Sequence, residues 1–171
     1  AFLELAFVVA ALTIAVPILG AHVLPFQDLP QHLATARILA DYDDPALRFR
    51  EFFELRLHDT QYIGYYLLVA AVAKVVPVEL ANALVLTALL VATPYAFLGL
   101  DERAALLVPP LFWNVNLVVG FLNYVAAIPF ALYGLALAAR NADHPNPRRA
   151  LALALVTLAC FVMHVAPFAV L

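Results

Sequence analysis

Asp28 and His32 stand four residues apart in Pro25-Phe-Gln-Asp-Leu-Pro-Gln-His32. That spacing puts a carboxylate and an imidazole on one helical face, where each tunes the other's pKa. A carboxylate flanked by prolines that fix the backbone can act as a general base or hold a cation. Asp28 is therefore the candidate catalytic residue, His32 a candidate substrate-binding residue, and a divalent cation the candidate cofactor. Asp28 also precedes Leu29-Pro30-Gln31, a capping-box-like start in which Gln31 reaches back from the third helical position. Capping and catalysis can coexist in one carboxylate.

A second polar group lies in Phe112-Trp-Asn-Val-Asn-Leu-Val-Val-Gly-Phe-Leu-Asn-Tyr124, between two apolar segments. Asn116, Asn123 and Tyr124 can line a cavity for a sugar or headgroup, or bond backbone groups freed at a membrane-depth turn. His164 lies inside the last apolar run, and an ionisable group in such a run is a functional candidate by default. Cys160, the one cysteine, sits in the same run and reads as packing. No phosphate-cradling glycine loop, zinc-type histidine pair or nucleophile elbow is present.

The elements that hold these residues are apolar. Hydrophobic residues make up 66% of the 171-residue chain, charged residues 12%, and mean hydropathy is +0.96. Soluble domains carry about 45–50% apolar and about 25% charged residues. The expected fold is therefore all-α: a polytopic transmembrane bundle partnered by the lipid bilayer. The net charge of −3 is too small and dispersed for a nucleic-acid surface.

Apolar segments fall at 2–24, 61–76, 80–100, 104–115, 118–139 and 150–171. Pro17 is expected to kink the first. Eleven of the 21 charged residues lie between Asp28 and Asp59. Residues 25–60 read as an external loop of two short helices. One runs from Asp28 to about Asp41. The other starts with Asp44 as N-cap and Pro45 at the first helical position, and carries Phe49, Phe52, Phe53 and Leu57 among Arg48, Arg50 and Glu54. The chain begins at Ala1 and stops within an apolar run, so it reads as one transmembrane domain, the N-terminal part of a longer protein.

Basic residues in short loops set orientation. Arg140, Arg148 and Arg149 against Asp143 place residues 140–149 in the cytoplasm of a bacterial inner-membrane protein, while residues 25–60, four arginines against seven acids, are external. An odd number of crossings must then separate the two, so one of the four intervening segments does not cross. Segment 104–115, broken by Pro109-Pro110, is the first choice, and 61–76 the second.

A first span, an aspartate at once, a loop of two short helices, then Tyr65-Tyr66-Leu-Leu opening the next segment: this layout resembles the start of GT-C-type glycosyltransferases. Gly120-Phe-Leu-Asn-Tyr124 with Pro129-Phe-Ala-Leu-Tyr133 is similar to a motif of uncharacterised bacterial membrane proteins of like layout, in which a histidine comparable to His164 follows. The resemblance implies a multi-pass enzyme that transfers a sugar from a polyprenyl-phosphate donor at the outer membrane face. Asp28 matches the acidic residue heading the first external loop, and Arg37 is the candidate for the donor phosphate. Two other classes remain open. A transporter would use the broken segment 104–116 as a discontinuous-helix site, and a scaffold would dock a partner on the polar loop.

Overall fold

The computed structural model describes residues 2–21, 23–98, 104–107 and 113–171. These residues are helical, with no strand among them. Helix α1 spans Phe2–Gly20, α2 Leu29–Ala40, α3 Phe49–Phe52, α4 Gly64–Ala73 and α5 Val78–Leu98. A 3-10 turn follows at Ala104–Leu107, then α6 Val115–Val119, α7 Leu122–Asp143, α8 Pro147–Met163 and α9 Val165–Phe168.

One hydrophobic cluster joins them. Ile14 and Ile18 of α1, Tyr65 and Val69 of α4, Leu86 and Leu90 of α5, Val125 and Ala127 of α7, and Cys160 of α8 all belong to it. Helix α7 packs on α5 and α8, and α5 in turn on α1 and α4. Alanines at 81, 126, 127 and 136 are buried, which lets helix backbones approach closely. Each fully buried Leu or Val contributes roughly 1.5–3 kcal/mol. Cys160 is a packing residue, its thiol 3.8 Å from the Ala127 carbonyl oxygen.

Two helical stretches are long and apolar enough to cross a membrane, Val78–Ala96 and Leu122–Asp143. The ten residues of α4 rise only about 15 Å at 1.5 Å each, half the ~30 Å hydrocarbon core. The helix within segment 61–76 is therefore shorter than a membrane crossing requires. In segment 104–115 the break expected at Pro109-Pro110 lies outside the described residues, as do Asp101, Glu102, Arg103 and His22.

The polar region 25–60 differs from expectation in its second half. Helix α2 ends at Ala40, as its sequence indicates. The second helix shrinks to the four residues of α3, because Arg48 takes a left-handed conformation (φ 54°) just before it. Asp44 caps no helix; its carboxylate accepts from the Ala46 N–H at 2.8 Å, closing a local turn that competes with helix. Ion pairs Arg50–Asp43 and Arg48–Glu51 and a Tyr42 hydroxyl bond to the Phe53 carbonyl at 2.9 Å hold the remainder.

The two ends of α7 are built differently. At its C-terminus, Asn146 caps α8, accepting from the Arg148 N–H (2.9 Å) and the Arg149 N–H (3.3 Å) with Pro147 in the first turn. Arg149 Nη1 donates to the Arg140 and His144 carbonyls, both at 2.7 Å, and so satisfies the end of α7. At its N-terminus the chain breaks at Gly120-Phe121, and residues 27–32 close over the break. The 22 residues of α7 set these ends about 33 Å apart at 1.5 Å per residue.

Candidate functional site

Helix α6 is one turn long. Asn114 opens it by accepting from the Asn116 N–H (2.9 Å) and the Leu117 N–H (3.4 Å), and Gly120 ends it in the left-handed region at φ 98°. Its last carbonyls have no partner within the helix. The chain from the start of α2 supplies them: Gln27 N–H donates to Val118 O and Asp28 N–H to Val119 O, each at 3.1 Å. The fit is tight. A Cβ on Gly120 would stand 2.9 Å from Asp28 N and 3.1 Å from its Cβ, so only glycine serves there.

His32 continues the clasp. Its Nε2 lies 2.7 Å from the Gly120 carbonyl oxygen, and its Nδ1 lies 2.9 Å from the Tyr66 hydroxyl. A carbonyl can only accept, so Nε2 carries the proton. In the neutral ring Nδ1 then accepts from Tyr66. Both ring nitrogens are engaged, and the ring stacks on Tyr66 at 5.5 Å between centroids. Burial pushes the imidazole below its ordinary range, against the opposite pull of the Gly120 carbonyl and of the Asp28 charge.

Around this clasp lies a cleft of about 160 Å³ lined by Asp28, Gln31, His32, Tyr62, Phe121, Asn123, Tyr124 and His164. Asp28 occupies the cap position of α2 but makes no side-chain cap bond, and Gln31 lines the cleft. The expected capping box does not form, because the Asp28 backbone is committed to Val119 and leaves the carboxylate facing the cleft. Across from it, His164 Nδ1 accepts from the Ala166 N–H at 3.1 Å, which leaves the ring proton on Nε2. The ring sits between Tyr62 (4.7 Å) and Tyr124 (5.4 Å). His164 marks the break between α8 and α9, so two chain breaks meet at one cleft.

Five of the seven residues singled out in the sequence converge here: Asp28, His32, Asn123, Tyr124 and His164. Arg37 does not. It pairs with Asp41 at 2.7 Å one turn along α2, half exposed and away from the cleft. Asn116 does not line the cleft either; its carbonyl accepts from the Gly120 and Phe121 N–H groups and shapes the break. Tyr66 and Phe121 stand in motifs quoted above, but neither they nor Tyr62 is a site candidate by sequence, since an aromatic residue beside an apolar run carries no signal of its own. Among the described residues there is no group of three or more His, Cys, Asp or Glu side chains that could hold a metal ion, and both His32 nitrogens are engaged.

The cleft thus offers one carboxylate, one imidazole N–H, side-chain amides and three aromatic walls at the amino-terminal end of a long helix. No protein-family model, no curated protein and no solved structure matches this chain.

Proposed function

We propose that the chain belongs to a multi-pass membrane enzyme of glycosyltransferase type, with the cleft at Asp28 as its acceptor site. The observation that carries this reading is the Asp28 carboxylate: it sits at a cap position, yet makes no cap bond and lines a polar cleft. Asp28 takes the proton of an acceptor hydroxyl as that oxygen attacks the anomeric carbon. The bond from that carbon to the donor phosphate breaks, and its electron pair leaves with the lipid phosphate. The amino-terminal end of α7 opens on the cleft and favours the developing negative charge. Tyr62, Phe121 and Tyr124 give flat apolar faces for a sugar ring.

Membrane embedding is supported by the outer surface. Leu5, Val8, Val9, Leu12 and Val16 of α1 and Leu151, Leu155 and Leu158 of α8 are each more than half exposed, at spacings that mark one stripe on each helix. With α5 and α7 as spans, the cleft and residues 140–149 lie at opposite ends of α7. That agrees with an external cleft and a cytoplasmic basic loop.

In the full-length protein, Asp28→Asn is expected to abolish sugar transfer to a lipid-linked acceptor while shifting stability by no more than about 0.5 kcal/mol, the range for a substitution that breaks no cap. Intact transfer would overturn the catalytic role. A transport reading draws on one specific observation, the two helix breaks that meet at the cleft. Uptake of a sugar into proteoliposomes without any covalent product would favour it.

A further inference from the structure

The Asp28 carboxylate is half-buried in the wall of the cleft, makes no cap bond and enters no ion pair among the described residues. Its charge is felt at His32 and at Tyr66. Neither answers it. His32 is engaged at both ring nitrogens, Nε2 by the Gly120 carbonyl and Nδ1 by the Tyr66 hydroxyl, whose own proton is thereby committed. His164 accepts from the Ala166 N–H at Nδ1, which keeps its ring neutral. No lysine or arginine is among the described residues that line the cleft. The basic side chains tied to α2 are engaged, Arg37 with Asp41 and Lys74 with the Ala40 carbonyl. A negative charge partly withdrawn from water favours an opposite charge beside it, and these neighbours supply none.

Tyr62, Phe121 and Tyr124 line the same cleft, and aromatic faces carry the negative end of a quadrupole that attracts cations. A carboxylate among aromatic walls, with no basic side chain, is the donor set for an organic ammonium. At about 160 Å³ the cleft is smaller than the ~300–1,000 Å³ of drug-sized sites, so it admits one ring or head group. We infer that the ligand of this cleft carries a primary ammonium group, seated on the Asp28 carboxylate. The inference rests on the reading of the cleft as the acceptor site, and it makes the acceptor an amino sugar. A primary ammonium brings the carboxylate hydrogen bonds as well as charge, which a quaternary one does not. A carboxylate has two oxygens, so one holds the ammonium while the other takes the proton of the attacking hydroxyl. An ethanolamine head group would bring the same ammonium, but with a phosphate that no basic side chain in the cleft can meet.

The test is binding to the full-length protein in phosphatidylcholine nanodiscs, read by saturation-transfer NMR at about pH 6, where an amine is charged and a carboxylate ionised. The methyl glycosides of glucosamine and galactosamine are each compared with the neutral parent glycoside and with the N-acetyl form, whose amide carries no charge. At least one amino sugar is expected to bind about tenfold tighter than both of its neutral counterparts, the worth of one charge-assisted hydrogen bond. In Asp28→Asn that preference should fall below about twofold. Equal binding of charged and neutral sugars, binding by none of them, or a preference that survives in Asp28→Asn overturns the assignment. Should Asp28→Asn unfold, Tyr124→Leu takes its place: loss of one ring should cut the preference about threefold, and an unchanged preference overturns the inference. O-phosphoethanolamine is the remaining arm. Binding tighter than that of the amino sugars assigns the ammonium to a lipid head group and overturns the amino-sugar acceptor; weaker binding supports it. A protein that shows the preference but transfers no sugar keeps the ammonium site and loses the enzyme reading. One that transfers sugar without the preference does the reverse.

Discussion

The two ends of α7 are both turns between helices, and both use asparagine, but they are held in opposite ways. At the Asp143 end the ties of Asn141, Asn146 and Arg149 are local: Asn146 to the next two N–H groups, Asn141 Oδ1 to Asn146 N–H at 3.0 Å, Arg149 to carbonyls five and nine residues back. At the Leu122 end the ties are distant. His32 reaches Gly120 across 88 positions, and Asn123 reaches Tyr62 across 61. A local turn of this kind satisfies its helix ends from within a few residues. A turn closed by remote segments leaves side chains whose orientation is dictated from several sides, with no cap bond from the Asp28 carboxylate and, among the described residues, no partner for Asn123 Oδ1. The first kind of end stabilises helices. The second kind can bind.

The contrast is open to attack at its tightest point. Gly120→Ala is expected to have the largest effect, roughly 1–3 kcal/mol from the left-handed backbone alone, with the clash against Asp28 in addition. The unfolding midpoint in detergent should fall sharply and glycoside binding should vanish with it. A variant as stable as the parent would show that residues 27–28 do not clasp the break.

Removal of the imidazole tests the next tie. His32→Leu strands the Gly120 carbonyl and the Tyr66 hydroxyl, a loss of about 1–3 kcal/mol for a buried group left unsatisfied. It also has a pH signature. The folded pKa is lowered from 6.5, so the native state prefers the neutral ring. The stability from this site is then full above pH 6.5 and is lost as pH falls through the lowered folded value. A stability profile across acid pH should slope downward toward acid in the parent and flatten in His32→Leu; parallel profiles would remove His32 as the cause.

The smallest effect is expected at the other end. Asn146→Ala removes a helix cap worth about 1 kcal/mol and should leave glycoside affinity unchanged, 33 Å or so away by the length of α7. A change in binding would mean the two ends are coupled, contrary to their separate construction.

Much of the local structure is legible in the residues themselves. Composition and the runs of apolar residues point to an all-α fold, and the described residues contain helices and no strand. Helix α2 begins and ends where Asp28, Pro30 and Asp41 indicate, and Asn146-Pro147 announces α8. Those signals are short-range chemistry. They mislead where two local solutions compete, as at Asp43-Asp44-Pro45, where the Asx turn to Ala46 and the left-handed Arg48 override a helix start.

What the sequence by itself determined is therefore the set of helices and most of the residues with chemistry to offer. The tertiary structure alone decided which of them meet. Asp28 and Arg37 are equally plausible in α2, yet the clasp of residues 27–28 on α6 turns one toward the cleft, while Arg37 finds Asp41 one turn away. Nor does any spacing reveal that Asn123 is held by Tyr62 and left with a free oxygen. Hydrogen bonds spanning 61 and 88 residues have no periodicity to read; they exist because packing α2, α4 and α7 together brings His32 onto the Gly120 carbonyl and Asn123 onto the Tyr62 carbonyl.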